Sequence, residues 1–196
     1  AGIARSTLAT IEERNLAHYG YGAKSFTLSM IEAAWALGGA DLPVQMIARI
    51  LETGRNLLQH PVELLDGVGD TIEALAALGD LVLLTKGDLL HQEMKLAASG
   101  LGSRFSAVEI VSDKTVETFQ RLFERRGVDP AEAIMAGDSL RSDIHPALAA
   151  GAWAAFVPQP LAWSHEQAAE PVDQPRYRRL ASLGVLPALI AEIDAM

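Results

Sequence analysis

The chain has 196 residues, of which 49% are hydrophobic and 21% charged; its formal net charge is −9 and it has no cysteine. That length carries one sizeable core plus a small accessory lobe, in a composition typical of a globular protein. The charge excludes a general electrostatic grip on nucleic acid or an anionic membrane, and the lack of Cys excludes disulfides, thiolate nucleophiles and zinc-thiolate sites.

The first residues, Ala1 to Leu8, have neither the charged-then-apolar order of a signal peptide nor an apolar stretch that could span a bilayer, so a cytoplasmic protein is expected. From about Thr7 to Leu58 apolar residues recur at helical spacing, as in Met46, Ile47, Ile50 and Leu51. Two to four helices are predicted. Their breaks fall at Tyr19-Gly20-Tyr21-Gly22 and at Leu37 to Pro43, where Pro43 can open the next helix. Residues 1–60 are thus read as an all-helical lobe.

After His60-Pro61 the rhythm changes to short apolar runs alternating with amphipathic helices, the pattern of an α/β domain with a parallel sheet, assigned to residues 61–196. The runs are Leu81 to Thr85, Val108 to Val111, Ala133 to Ala136 and Ala152 to Val157. Helical faces show through Ile72, Leu75 and Leu78, through Val116, Phe119 and Leu122, and in the stretch starting at Asp143. Pro158 to Arg176 reads as a long surface loop before a last helix, Val185 to Ile193.

Ligands of such sheets bind at the carboxyl ends of the strands, so the polar residues there are the ones that matter. In chain order they are Thr85, Lys114, and Gly137-Asp138-Ser139 with Asp143. Two carboxylates near the start of one helix, with a glycine allowing close approach, can hold a hard cation, and Mg²⁺ would take its further oxygens from water, another carboxylate or a substrate phosphate. A hydroxyl and an ammonium suit the remaining phosphate oxygens.

Together these segments resemble the haloacid dehalogenase superfamily. The resemblance rests on Leu84-Thr85-Lys86-Gly87-Asp88, on Asp113-Lys114, on Gly137-Asp138-Ser139-Leu140-Arg141-Ser142-Asp143, and on the helix text Gln92 to Leu101. It implies a Rossmann-like parallel sheet with a helical cap, and a Mg²⁺-dependent hydrolase of a small phosphorylated substrate. It further implies that Thr85, Lys86, Gly87 and Lys114 serve phosphate, with Thr85 and Lys114 in catalytic roles, and that Asp138 and Asp143 serve the metal, Asp143 through water or as a support. The family's nucleophile is the first Asp of an Asp-x-Asp pair after the first, central strand. No Asp-x-Asp occurs in the 196 residues, and residue 1 is Ala rather than Met, so that strand is expected upstream of Ala1.

Metal-free dehalogenases of the superfamily carry Asn where this chain has Asp138, which favours phosphate as substrate. Lys86 stands where many relatives have Asn.

Each residue also has a plainer reading: Thr85 as a strand residue, Lys114 as a solvated helix-start lysine, Asp138-Ser139 as a helix cap. Order and spacing, each at a predicted strand end, favour the functional reading. Tyr19, Tyr21 and Lys24 in the cap turn, Trp163 and His165 after the last strand, Arg141 and the hinge residue His60 are weaker candidates. A catalytically silent binding or regulatory module on the same fold is the alternative, and a 2-haloacid dehalogenase the third reading. Substrate identity and homo-oligomerisation are left open.

Overall fold

The structure is a computed structural model and describes residues 2–160 and 166–195. The chain divides into two compact units. One comprises residues 1–63, 84–100 and 110–112; the other comprises residues 64–83, 101–109 and 113–196.

The first unit is built on three helices: α1 (Gly2–Tyr19), α2 (Ala23–Gly38) and α3 (Val44–Gln59). Their breaks are where Gly20, Gly22 and Pro43 interrupt the helical pattern. Pro43 takes the N-cap position, one residue ahead of the helix, with φ −65°. A buried polar seam joins α1 to α2: Asn15 Nδ2 donates to Ser29 Oγ at 3.1 Å and to Glu32 Oε1 at 3.0 Å, and Ser29 Oγ donates to the Ser25 carbonyl at 3.0 Å. Gly54 is buried where α3 crosses α2. A Cβ there would lie 2.3 Å from Thr27 Oγ1, so only glycine permits this approach.

Strand β1 (Val82–Lys86) pairs with β2 (Ala107–Val111) in a two-stranded sheet. The Leu81 carbonyl accepts from Ser106 N–H at 2.8 Å, and at the other end Gly87 N–H reaches the Val111 carbonyl at 3.3 Å. Both strands therefore run the same way. Helix α4 (Val68–Ala76) precedes β1, and α5 (Leu89–Ser99) follows it.

In the second unit β3 (Ile134–Gly137), β4 (Trp153–Phe156) and β5 (Tyr177–Arg179) form a parallel three-stranded sheet in the order β3-β4-β5. Ala154 and Ala155 on β4 are almost completely buried. This is the expected state of a central parallel strand covered on both faces. Helices α6 (Val116–Arg126), α7 (His145–Ala149) and α8 (Leu186–Asp194) complete the unit. Ile72, Leu75, Ala155, Val157, Leu180, Leu186 and Leu189 form its core.

The four apolar runs read from the sequence are strands to within two residues at either end, and the last helix is shifted by one. Strand β5 was not expected. It is three residues long, its Tyr-Arg-Arg text lacks an apolar period, and it pairs only along one edge of β4. None of the helices among the described residues is long and apolar enough to cross a membrane.

Candidate active site

At the end of β3 the last ladder bond runs from Val157 N–H to the Gly137 carbonyl at 2.9 Å, and Asp138 follows immediately. The chain then makes a wide π-helical turn over Leu140–Ile144 before α7. Ser139 caps it: its Oγ accepts from Ser142 N–H at 2.9 Å, and its carbonyl accepts from both Asp143 and Ile144 N–H. Such wide turns are uncommon and recur at functional sites.

The π turn carries Asp143 back over the strand end. Asp143 Oδ2 accepts the backbone N–H of Ser139 at 3.0 Å, and Oδ1 accepts Lys114 Nζ at 2.6 Å. Both side chains are shielded, 4% exposed for Asp143 and 11% for Lys114. Gly137 makes room for this, because a Cβ there would lie 2.2 Å from Asp143 Oδ2. A one-letter spacing cue thus has a steric cause.

Asp138 itself is exposed. Desolvation first and the Asp143 charge second hold its carboxyl above the ordinary 3.8; its own backbone N–H and Lys114 pull downward, and Glu166 adds to the rise. A carboxylate whose charge is resisted by its surroundings gains most from a cation beside it. Among the described residues no group of three His, Cys, Asp or Glu side chains is placed to hold a metal ion. A cation here would take the Asp138 carboxylate and complete its shell with oxygens from water, substrate or other residues. Mg²⁺ routinely uses one or two carboxylates and keeps several waters, so the all-oxygen donors fit it.

Thr85, Lys86 and Gly87 lie in the first unit, at the end of β1. Gly87 has φ +140°, a conformation that L side chains rarely adopt, and it turns the chain from the strand into α5. Asp88 caps α5 by accepting His91 N–H at 3.0 Å and takes Lys24 Nζ on both oxygens, each at 2.9 Å. Lys86 Nζ sits 3.7 Å from the centre of the Tyr21 ring. Two of the weaker sequence candidates, Tyr21 and Lys24, therefore touch the residues that follow Thr85 directly. Tyr19 is exposed, His60 lies at the end of α3, and Arg141 is exposed in the π turn. Trp163 and His165 lie outside the described residues.

Sequence reasoning brought Lys114, Asp138 and Asp143 to one place but missed Glu166. Its Oε2 accepts from Ser139 Oγ at 2.5 Å and from Ser142 Oγ at 2.6 Å. Glu166 falls in a stretch of sequence without periodicity, so nothing local marked it.

A family model described as haloacid dehalogenase-like hydrolase matches residues 4–151. The chain belongs to the haloacid dehalogenase-like hydrolases. Among solved structures, a haloacid dehalogenase-like family hydrolase from Xanthomonas campestris is 40% identical and superimposes with a TM-score of 0.87 over 99% of this chain and 81% of that one. The N-acylneuraminate-9-phosphatase of Mus musculus is 32% identical over 145 residues, 70% of this chain and 55% of that protein. The chain therefore spans about half the length of the curated relatives it matches. The Bacillus subtilis HAD-hydrolase YfnB, whose structure is bound to magnesium, shares the fold at 19% identity and a TM-score of 0.66, over 96% of this chain and 82% of that one.

Proposed function

We propose that this haloacid dehalogenase-like chain acts as a magnesium-dependent phosphomonoester hydrolase on a small phosphorylated metabolite. The observation that carries the reading is the pairing of solvent-facing Asp138 with an Asp143 already anchored by Lys114 and the Ser139 N–H. That arrangement leaves Asp138 the carboxylate open to a cation, with an ammonium fixed beside it for a phosphoryl oxygen.

In this reading Asp138 would hold Mg²⁺, with Asp143 supporting it or acting through water, and the ion when bound would supply neutralisation of charge on the phosphoryl group. Lys114 balances charge at nucleophile and phosphate. Thr85 donates its hydroxyl to a phosphoryl oxygen, and Lys86 and Gly87 add donors. The helical residues 1–60 serve as a cap that excludes water and sets specificity. An aspartate from outside residues 1–196 attacks phosphorus to give an aspartyl-phosphate, and a second aspartate two positions on protonates the leaving group and then activates water. The phosphatase relatives at about one-third identity and the magnesium of YfnB support this reading.

The test is hydrolysis of p-nitrophenyl phosphate by the full-length protein, with Mg²⁺ and with chelator, for wild type and Asp138→Ala. Mg²⁺-dependent turnover lost in the variant is expected. No turnover across a broad phosphomonoester panel overturns the reading in favour of a silent binding module, and metal-independent halide release from 2-haloacids overturns it in favour of a dehalogenase.

A further inference from the structure

We infer that Glu166 is a positioning residue for the acid loop, setting the place of Asp138 and Asp143 through the hydroxyls of Ser139 and Ser142. The inference rests on the reading that Asp138 binds a divalent cation. Ser139 is the shared joint. Its N–H holds Asp143 Oδ2 and its Oγ takes Ser142 N–H, so its hydroxyl proton is free to go elsewhere, and it goes to Glu166. Ser142 sends its hydroxyl proton to the same carboxylate oxygen. Ser139 and Ser142 are 6% and 3% exposed, so water does not readily replace that acceptor. A single anionic oxygen receiving two buried hydroxyls makes short, charge-assisted bonds and fixes both rotors.

The attachment continues along the chain. His145 Nε2 lies 2.8 Å from the Ala169 carbonyl, and Glu170 accepts the Tyr177 hydroxyl at 2.8 Å and pairs with Arg179. The segment after Glu166 is thus stitched first to the π turn and α7, then to β5. Moving Glu166 would release Ser139, and with it the N–H that orients Asp143 and the backbone that carries Asp138.

The experiment is a Mn²⁺ titration by electron paramagnetic resonance on the full-length protein, with thermal unfolding recorded for every variant. Glu166→Ala should bind Mn²⁺ about 10- to 100-fold more weakly, as removal of groups that orient metal ligands typically does. The Mg²⁺ activation constant of the phosphatase should rise in step, while KM for the aryl phosphate stays within about twofold. Glu166→Gln, which keeps an acceptor oxygen but no charge, should fall between alanine and wild type. Ser142→Ala removes one donor and leaves the carboxylate; it should weaken Mn²⁺ binding in the same direction by less, which covers the case of an unfolded Glu166→Ala. Wild-type binding with unchanged affinity in both Glu166→Ala and Ser142→Ala, whatever happens to melting temperature, overturns the inference and leaves the magnesium reading standing. Absence of Mn²⁺ binding by wild type overturns both.

Discussion

Lys114 Nζ lies 2.6 Å from Asp143 Oδ1 across 29 residues of sequence, with both side chains nearly out of water. Removing one partner of such a pair leaves the other charge desolvated and uncompensated. Lys114→Met is therefore expected to cost about 3–5 kcal/mol of unfolding free energy, read by urea denaturation. A loss well under 1 kcal/mol would mean that Asp143 finds solvent or another partner, contrary to the burial described here.

Gly137 is the contact surface for Asp143. In Gly137→Ala the new methyl would meet the carboxylate and push Asp143 from the Ser139 N–H. The expected cost is about 1–3 kcal/mol with a parallel loss of phosphatase activity. Wild-type stability and activity in this variant would show that the π turn relaxes freely.

Asp138 makes no ion pair with Lys114, which bonds Asp143 instead. Replacing it should spare the fold. Asp138→Asn is expected to keep the melting temperature of the metal-free protein at or above that of wild type, because a carboxylate resisted by its surroundings is removed. Mg²⁺-dependent turnover should fall roughly a thousandfold. Full activity in the variant would remove Asp138 from the chemistry.

Asp88 supplies the pH test. The Lys24 ammonium first, and the His91 backbone N–H second, hold its carboxyl below the ordinary 3.8. The folded chain therefore sheds this proton more readily than the unfolded chain. Its stabilising contribution is complete above the unfolded value near 3.8 and is lost as pH falls through the lower, folded value. Asn keeps the N-cap and removes only the charge. The melting-temperature gap between wild type and Asp88→Asn should be open well above the ordinary 3.8 and should close as the pH falls below it. A gap unchanged across that range would show that the ion pair contributes nothing.

Much of this was readable from one-dimensional text because the cues are local. Gly20, Gly22 and Pro43 act on the backbone within a turn of themselves, so the helix breaks of residues 1–60 could be placed. Apolar runs of four or five residues mark the strands for the same reason. Gly137-Asp138 and Asp143 could be grouped because five residues suffice for one turn to bring them together. Strand β5 escaped because Tyr177-Arg178-Arg179 has no periodicity and owes its extension to pairing with β4.

The sequence by itself therefore determined the helices before His60, the α/β alternation and the polar residues that end each strand, since propensity and period are properties of neighbouring residues. Only the tertiary structure decided that Lys114 spends its ammonium on Asp143 and that Glu166 reaches back 24 and 27 residues to two serines. It also decided that Gly54 exists to admit Thr27. Those choices depend on which segments pack within hydrogen-bonding distance, and that is fixed by burial of surface across the whole chain rather than by any local pattern.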